Sequence, residues 1–200
     1  MRTVVSILVV SAVALGSIIA GASASPFGSA QAAAGPQRIV RATLITRPRQ
    51  MLAPGSTVAA SKIFGNRVFT NANHGFALVD TGQAQYPAAT ADGGKTWHTD
   101  GPALHLDAAQ APLAVIYIGA ASRKTIFAWG TGQVIDTTSN GGEQWYRALF
   151  LGLPVAVGKG PQGHLVAFVD GETSGSASPL QYVSKDGGKT WHLDNTVGGS

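Results

Sequence analysis

The chain has 200 residues, 26 of them glycine and none cysteine, with 14 Lys and Arg against 10 Asp and Glu for a net charge of +4. The lack of cysteine excludes lipid attachment at a lipobox cysteine and speaks neither for nor against export. The positive balance comes from residues before Val68; beyond it the acidic residues outnumber the basic ones, so no basic face for nucleic acid is expected from the body of the chain.

The first stretch reads as an export signal. Arg2 supplies a short positive start, and Val4 to Ala20 is apolar apart from Ser6, Ser11 and Ser17. No charge intervenes before Arg38, and small-residue cleavage patterns follow at Ala22-Ser23-Ala24, Ala30-Gln31-Ala32 and Ala32-Ala33-Ala34. This is the layout of a secretory signal peptide over residues 1–34, with cleavage expected between Ala24 and Gly35. The alternative is an uncleaved anchor, for which the segment is marginal, since a spanning helix needs about 20 apolar residues. The expected location is therefore secreted or at the cell envelope, with membrane contact only through an uncleaved signal. The ~165 residues that remain suffice for one domain with a sizeable core.

Residues 35–66 form a basic segment. Ile39 to Ile45 alternates moderately and reads as a strand, Pro48, Pro54 and Gly55 make a connection, and Thr57 to Phe64 reads as a second strand. Its charges are all positive: Arg38, Arg41, Arg47, Arg49, Lys62 and, just beyond, Arg67. They read as a solvated edge that discourages pairing, or as a contact for an anionic partner.

Residues 67–200 carry an internal repeat. Thr90-Ala91-Asp92-Gly93-Gly94-Lys95-Thr96-Trp97 returns as Ser184-Lys185-Asp186-Gly187-Gly188-Lys189-Thr190-Trp191. A weaker copy, Thr138-Ser139-Asn140-Gly141-Gly142-Glu143-Gln144-Trp145, lies between them. Asp92, Asn140 and Asp186 stand 48 and 46 residues apart, a period that marks a repeat architecture. Asp or Asn is expected to accept a backbone N–H two residues on. The glycine pair tolerates the positive φ of a tight turn, the leading Ser or Thr adds a hydroxyl bond, and Trp opens the return strand as an aromatic anchor. Each copy is therefore a self-bonded hairpin, giving the key residues Thr90, Asp92, Gly94, Thr96 and Trp97; Thr138, Asn140, Gly142 and Trp145; Ser184, Asp186, Gly188, Thr190 and Trp191.

Three blades follow from this spacing. Arg67–Thr70 and Gly75–Val79, Leu113–Ile118 and Lys124–Trp129, and Val155–Gly158 and His164–Asp170 are the predicted inner pairs. Gln85–Thr90 and Thr96–Thr99, Gln133–Thr138 and Gln144–Leu149, and Leu180–Ser184 and Thr190–Leu193 are the outer ones. Gly171 to Ser178 is a long small-residue loop, and the segment from Asn195 to Ser200 leaves no room for a fourth blade.

The three motif copies resemble the Asp-box, or BNR repeat, with its pattern Ser/Thr-x-Asp-x-Gly-x-Thr-Trp. Two copies match fully; the middle one carries Asn140 and Gln144. The resemblance covers about Arg67 to Asn195 and takes in sialidase-type, sortilin-type and photosystem II assembly-factor-like propellers. It implies an all-β fold: a β-propeller-like array of about three four-stranded blades plus the N-terminal strand pair, partial or open. In that family the Asp-boxes lie away from the ligand-binding face. Gly75-Phe76-Ala77-Leu78-Val79 before the first box is closest in style to the photosystem-factor-like members, which implies an assembly or protein-binding role without implying photosynthesis.

Catalytic readings fail on the residues. Gly94-Lys95-Thr96 and Gly188-Lys189-Thr190 lack the earlier glycine of a phosphate-binding loop, having Ala89 and Val183 there. The arginine triad and nucleophile pair of sialidases cannot be mapped, and the chain has only Glu143 and Glu172 as glutamates. His98 and His192 follow the motif Trp as exposed strand residues; His74, His105 and His164 have no metal-ligand spacing. Asp80, Asp136 and Asp170 fall near strand ends, and Asp136 alone is weighed as a functional carboxylate against a structural turn partner. No catalytic residue, cofactor or metal is expected. The reading is an exported, non-enzymatic module for protein binding or scaffolding, with a carbohydrate-binding propeller as the alternative and a sialidase-like hydrolase behind it. Tyr86, Tyr117, Trp129 and Tyr182 are the candidate ligand-facing aromatics, with core packing as the competing use of each. Closure is expected either through the N-terminal strands as a partial fourth blade or through a homodimer making a six-bladed ring.

Overall fold

The structure is a computed structural model that describes residues 38–46, 52–106, 115–171 and 179–194. The signal segment, Arg47 and Arg49, Glu172 with most of the Gly171–Ser178 loop, and the C-terminal tail lie outside the described residues. Among the described residues no helix is long and apolar enough to cross a membrane.

Three short strands come first: β1 (Ile39–Arg41), β2 (Thr43–Leu44) and β3 (Thr57–Val58). The first blade then takes β4 (Ile63–Phe69), β5 (Gly75–Asp80), β6 (Ala84–Thr90), β7 (Trp97–Thr99) and the two-residue β8 (His105–Leu106). The second takes β9 (Val115–Ala120), β10 (Ile126–Gly130), β11 (Val134–Thr138) and β12 (Tyr146–Leu149). The third takes β13 (Leu153–Lys159), β14 (Leu165–Asp170), β15 (Leu180–Ser184) and β16 (Thr190–Leu193). Within each blade, consecutive strands pair antiparallel, and β8 pairs β6. The fold is all-β, a three-bladed open propeller whose innermost strands β4, β9 and β13 neighbour one another in that order.

The N-terminal strands do not build a fourth blade. Each adds an outermost strand to a different sheet: β1 to β16, β2 to β12 and β3 to β7. The second and third blades are thus five-stranded and the first, with β8 beside β6, six-stranded, rather than four-stranded. The predicted strand Ile39–Ile45 divides at Ala42, whose N–H turns to Lys189 O at 2.9 Å while Ile45 N–H goes to Trp145 O at 2.8 Å. The predicted strand Thr57–Phe64 also divides. Thr57–Val58 edges the first blade, and Ile63 and Phe64 begin its innermost strand after a short turn at Ala60–Lys62. The physical reason is hydrogen-bond satisfaction: β7, β12 and β16 each carry an open row of N–H and C=O groups that one extended segment can pair in passing.

Side chains fill the seams between blades. Phe76, Leu78, Leu104, Val115, Ile118, Ile126, Ala128 and Trp145 pack the first seam. Phe127, Ile135, Ala148, Phe150, Leu165, Tyr182 and Trp191 pack the second. The motif Trp of each later blade therefore anchors it to the blade before. Polar stitching adds to the first seam. A bulge at Gly65-Asn66 in β4 turns the Asn66 amide to β9, donating to Ile118 O at 2.7 Å and accepting from Ile118 N–H at 3.0 Å. Gln85 Oε1 accepts from Val115 N–H at 3.0 Å.

Among the described residues no blade precedes the outer face of the first one. There Gly75 stands where the later blades place Ile126 and Leu165, and the Phe69 ring lies over it against Trp97, centroids 6.3 Å apart. The blade caps itself.

Trp191 is fully buried, and Trp191→Ala is expected to cost about 3–5 kcal/mol, as is Trp145→Ala. Lys95→Ala, on an exposed turn, should fall within about 0.5 kcal/mol of wild type. Urea unfolding of the three variants checks the order; a Lys95 variant as damaged as the Trp variants would remove the turn–anchor account of the seams.

Candidate functional site

The three repeat turns are built alike. In the first, Thr90 Oγ1–H donates to Asp92 Oδ1 at 2.7 Å and accepts from Gly94 N–H at 2.9 Å. Asp92 Oδ1 takes the N–H groups of Lys95 and Thr96 at 3.0 and 2.9 Å, and Oδ2 takes the Thr96 hydroxyl at 2.6 Å. The carboxylate thus reaches three and four residues on, further than the two expected from sequence, because the glycine pair extends the turn before it closes. Ser184 and Asp186 repeat the pattern, with Gly188 N–H on Ser184 Oγ at 2.8 Å and Thr190 N–H on Asp186 Oδ1 at 2.9 Å. Thr138 and Asn140 do the same with Gly142 N–H and Gln144 N–H at 3.1 and 3.0 Å. Donors from Thr96 and Thr90 hold the Asp92 carboxyl well below its usual range. Burial pushes Asp186 up, but the Thr190 and Ser184 donors outweigh it and its carboxyl lies low as well.

The second glycine of each pair has φ of +90°, +90° and +95°, a region that favours glycine. At Gly142 and Gly188 the seam also forbids a side chain: a Cβ would fall 2.4 Å from Asp100 O and 2.2 Å from Thr137 Oγ1 of the preceding blade. These turns are packing devices between blades, and the motif hydroxyl and acidic or amide groups bond within the turn itself.

Of the four aromatic candidates, two are withdrawn from the surface. Tyr86 and Tyr182 are buried; Tyr86 OH accepts from Leu52 N–H at 3.3 Å, and Tyr182 meets Phe150 edge-on at 5.1 Å. Both fill the core because their positions on β6 and β15 point inward. Tyr117 and Trp129 pair across β9 and β10 with centroids 5.1 Å apart, and Tyr117 keeps 48% of its surface exposed. Asp136 is not a turn partner. It is fully buried on β11, where the Arg147 guanidinium donates to both its oxygens at 2.8 and 2.7 Å and to Leu104 O as well. Burial pushes its carboxyl up and the Arg147 fork opposes that.

Two surface features emerge that the sequence reading did not single out. The first is a ridge. From Ala148 to Val155 burial alternates residue by residue, and the outward positions are Leu149, Leu151, Leu153 and Val155, exposed by 63, 65, 49 and 54%. An alternating strand facing water ordinarily shows polar side chains there; this one shows four aliphatic ones. The signal was the apolar run Ala148-Leu149-Phe150-Leu151-Gly152-Leu153-Pro154-Val155, which a division into two strands conceals.

The second is a cleft of about 540 Å³ between the first and second repeat turns, with Asp100, His74, His98, Arg123 and Glu143 among its lining. Asp100 Oδ2 is screened from solvent and has no hydrogen-bond partner among the described residues. Burial pushes the Asp100 carboxyl up to about 7. His98, expected as an exposed strand residue, is exposed and faces this cleft. Among the described residues no group of three or more His, Asp or Glu is arranged to hold a metal.

No family model matches the chain, and no curated protein matches it. Among solved structures it is similar to YCF48 bound to D1 peptide, at 16% identity and a TM-score of 0.36, over 76% of this chain. The chain spans 60% of the length of that protein.

Asp100 gives a pH test. Its folded carboxyl titrates at about 7 against 3.8 unfolded. The folded state therefore binds the extra proton between those values, and the stability so gained is complete below about pH 4 and lost as pH rises through about 7. Asp100→Asn should be more stable than wild type at pH 8, by an amount on the order of a few kcal/mol, and this advantage should vanish toward pH 4. Urea titrations of both proteins across that range check it; parallel pH profiles would show that Asp100 is ordinarily ionised.

Proposed function

We propose that the chain is an exported, non-enzymatic propeller module of Asp-box type that binds a protein partner or scaffolds an assembly at the cell envelope or outside it. The observation that carries the reading is the ridge of Leu149, Leu151, Leu153 and Val155. Contiguous exposed apolar surface on a soluble fold marks an interaction site, and aliphatic side chains suit a protein surface, since sugar stacking wants aromatic planes. Export is supported by the pattern of residues 1–34.

A second reading, carbohydrate binding, has one observation in its favour: the exposed Tyr117 ring packed at a tilt against Trp129. Closure of a six-bladed ring by a homodimer is disfavoured by Phe69, which fills the groove over Gly75 and Trp97 that a second copy would need.

A photo-crosslinking residue placed at Leu149 or Leu153 in the exporting cell should give a discrete protein adduct, and one placed at Lys95 should not. Equal labelling from all three positions, or from none, would remove the ridge as the docking surface. Reproducible binding on a glycan array, lost in Trp129→Ala, would instead establish the carbohydrate reading.

Intact-mass measurement of the exported protein should show loss of 24 to 34 N-terminal residues. A mature species that keeps Met1 to Ala20 would mean an anchored protein.

A further inference from the structure

We propose that the cleft between the first and second repeat turns is a binding site for an organic cation, an ammonium or guanidinium group, with the Asp100 carboxylate as its counter-charge. The repeat itself shows that this carboxylate is not a structural necessity. Asp100 stands three residues after Trp97; the corresponding residues after Trp145 and Trp191 are Ala148 and Asp194. The second blade fills the position with a methyl group. The third carries a carboxylate but supplies a donor, Gln181 Nε2, at 2.9 Å from Asp194 Oδ2. The backbone register is the same in both blades: Asp100 N–H bonds Pro87 O and Asp194 N–H bonds Gln181 O, each at 2.8 Å. Opposite Asp100 the partner residue is therefore Pro87, which has no side-chain donor.

A carboxylate oxygen out of water and without a donor is a standing free-energy cost. A cation entering the cleft opposes that cost by its charge, and it supplies N–H donors to that oxygen once the carboxylate turns toward the cleft. The volume, about 540 Å³, admits a lysine or arginine side chain or a small amine. Phe76 and Ala89 offer apolar wall for an aliphatic stem, and Glu143 adds a second carboxylate from the second turn. Arg123 also lines the cleft from the second blade, and His74 and His98 from the first. Asp100 and Glu143 together outweigh Arg123 once Asp100 is ionised. An organic cation fits better than a metal ion, which would want three or more clustered ligands.

Trp145 provides a reporter, because its indole N–H donates to Asp100 O at 2.9 Å. The ¹⁵N-labelled protein is titrated with Nα-acetyl-arginine methylamide and Nα-acetyl-lysine methylamide. Nα-acetyl-norleucine methylamide serves as the neutral control and inorganic phosphate as the anion. The Trp145 indole signal should shift saturably with the cations alone. Affinity should tighten about tenfold from pH 6 to pH 8 as Asp100 ionises. Asp100→Asn should abolish the response while its spectrum stays dispersed, and Glu143→Gln should weaken it. An equal response in wild type and Asp100→Asn, a response to phosphate and not to the cations, or no saturable response at millimolar concentrations would each overturn the assignment.

Discussion

The fold depends on one short hydrogen-bond relay, made three times. A Ser or Thr hydroxyl donates to the carboxylate or amide two residues on and accepts the N–H of the second glycine. The acidic or amide oxygen then gathers the N–H groups that start the return strand. Each donor so captured is one that the turn would otherwise leave to water or unpaired. The consequence is positional: the relay fixes where the return strand begins, and a Trp stands at that start or one residue from it. With Trp145 and Trp191 fully buried against the preceding blades, local turn chemistry becomes the rule for packing one blade on the next.

This explains why most of the architecture could be read from the sequence. The motif spacing located each sheet, and the predicted strands around it match the observed ones to within a few residues. The outer N-terminal strands were not legible in the same way. Their sequences, Ile39–Arg41, Thr43–Leu44 and Thr57–Val58, carry the alternation of a strand but no statement of which edge they pair, since pairing is through backbone groups alone. A continuous apolar alternation from Ile39 to Ile45 also hides that its two halves serve different sheets. The ridge escaped for the opposite reason. Composition marks Ala148 to Val155 as apolar, and apolar runs are read as buried; only the pleat shows that every second side chain points to water.

The sites were less legible than the fold because they arise where the repeat breaks its own rule. Trp97 and Trp191 donate their indole N–H within their own turns, to Gly94 O and Gly188 O, both at 3.0 Å. Trp145 instead donates across the seam to Asp100 O. The rung that carries Ala88 opposite Thr99 in the first blade and Tyr182 opposite Leu193 in the third carries Asp136 opposite Arg147 in the second. A sequence repeat directs attention to what its copies share, so a residue such as Asp100, lying outside the motif, has no pattern to mark it.

These departures concentrate in one seam. The second seam, between blades two and three, is closed by Phe150, Tyr182 and Trp191 with edge-on ring contacts at 5.1 and 5.8 Å. Apolar packing of that kind has nothing to gain from a polar visitor. The first seam holds two carboxylates, and the protein treats them differently. Asp136 is enclosed with a bidentate guanidinium, so its charge is balanced internally and its removal from water is offset. Asp100 has one oxygen screened from solvent with no donor among the described residues, beside an open cleft. A structure that can neutralise one buried acid with its own arginine, and leaves the neighbouring one to burial alone, keeps at that point a charge whose balance has to come from a proton or from outside. The two ends of that choice, protonated and ionised, lie within reach of neutral pH at Asp100, which is why this seam can respond to its surroundings while the other only holds the blades together.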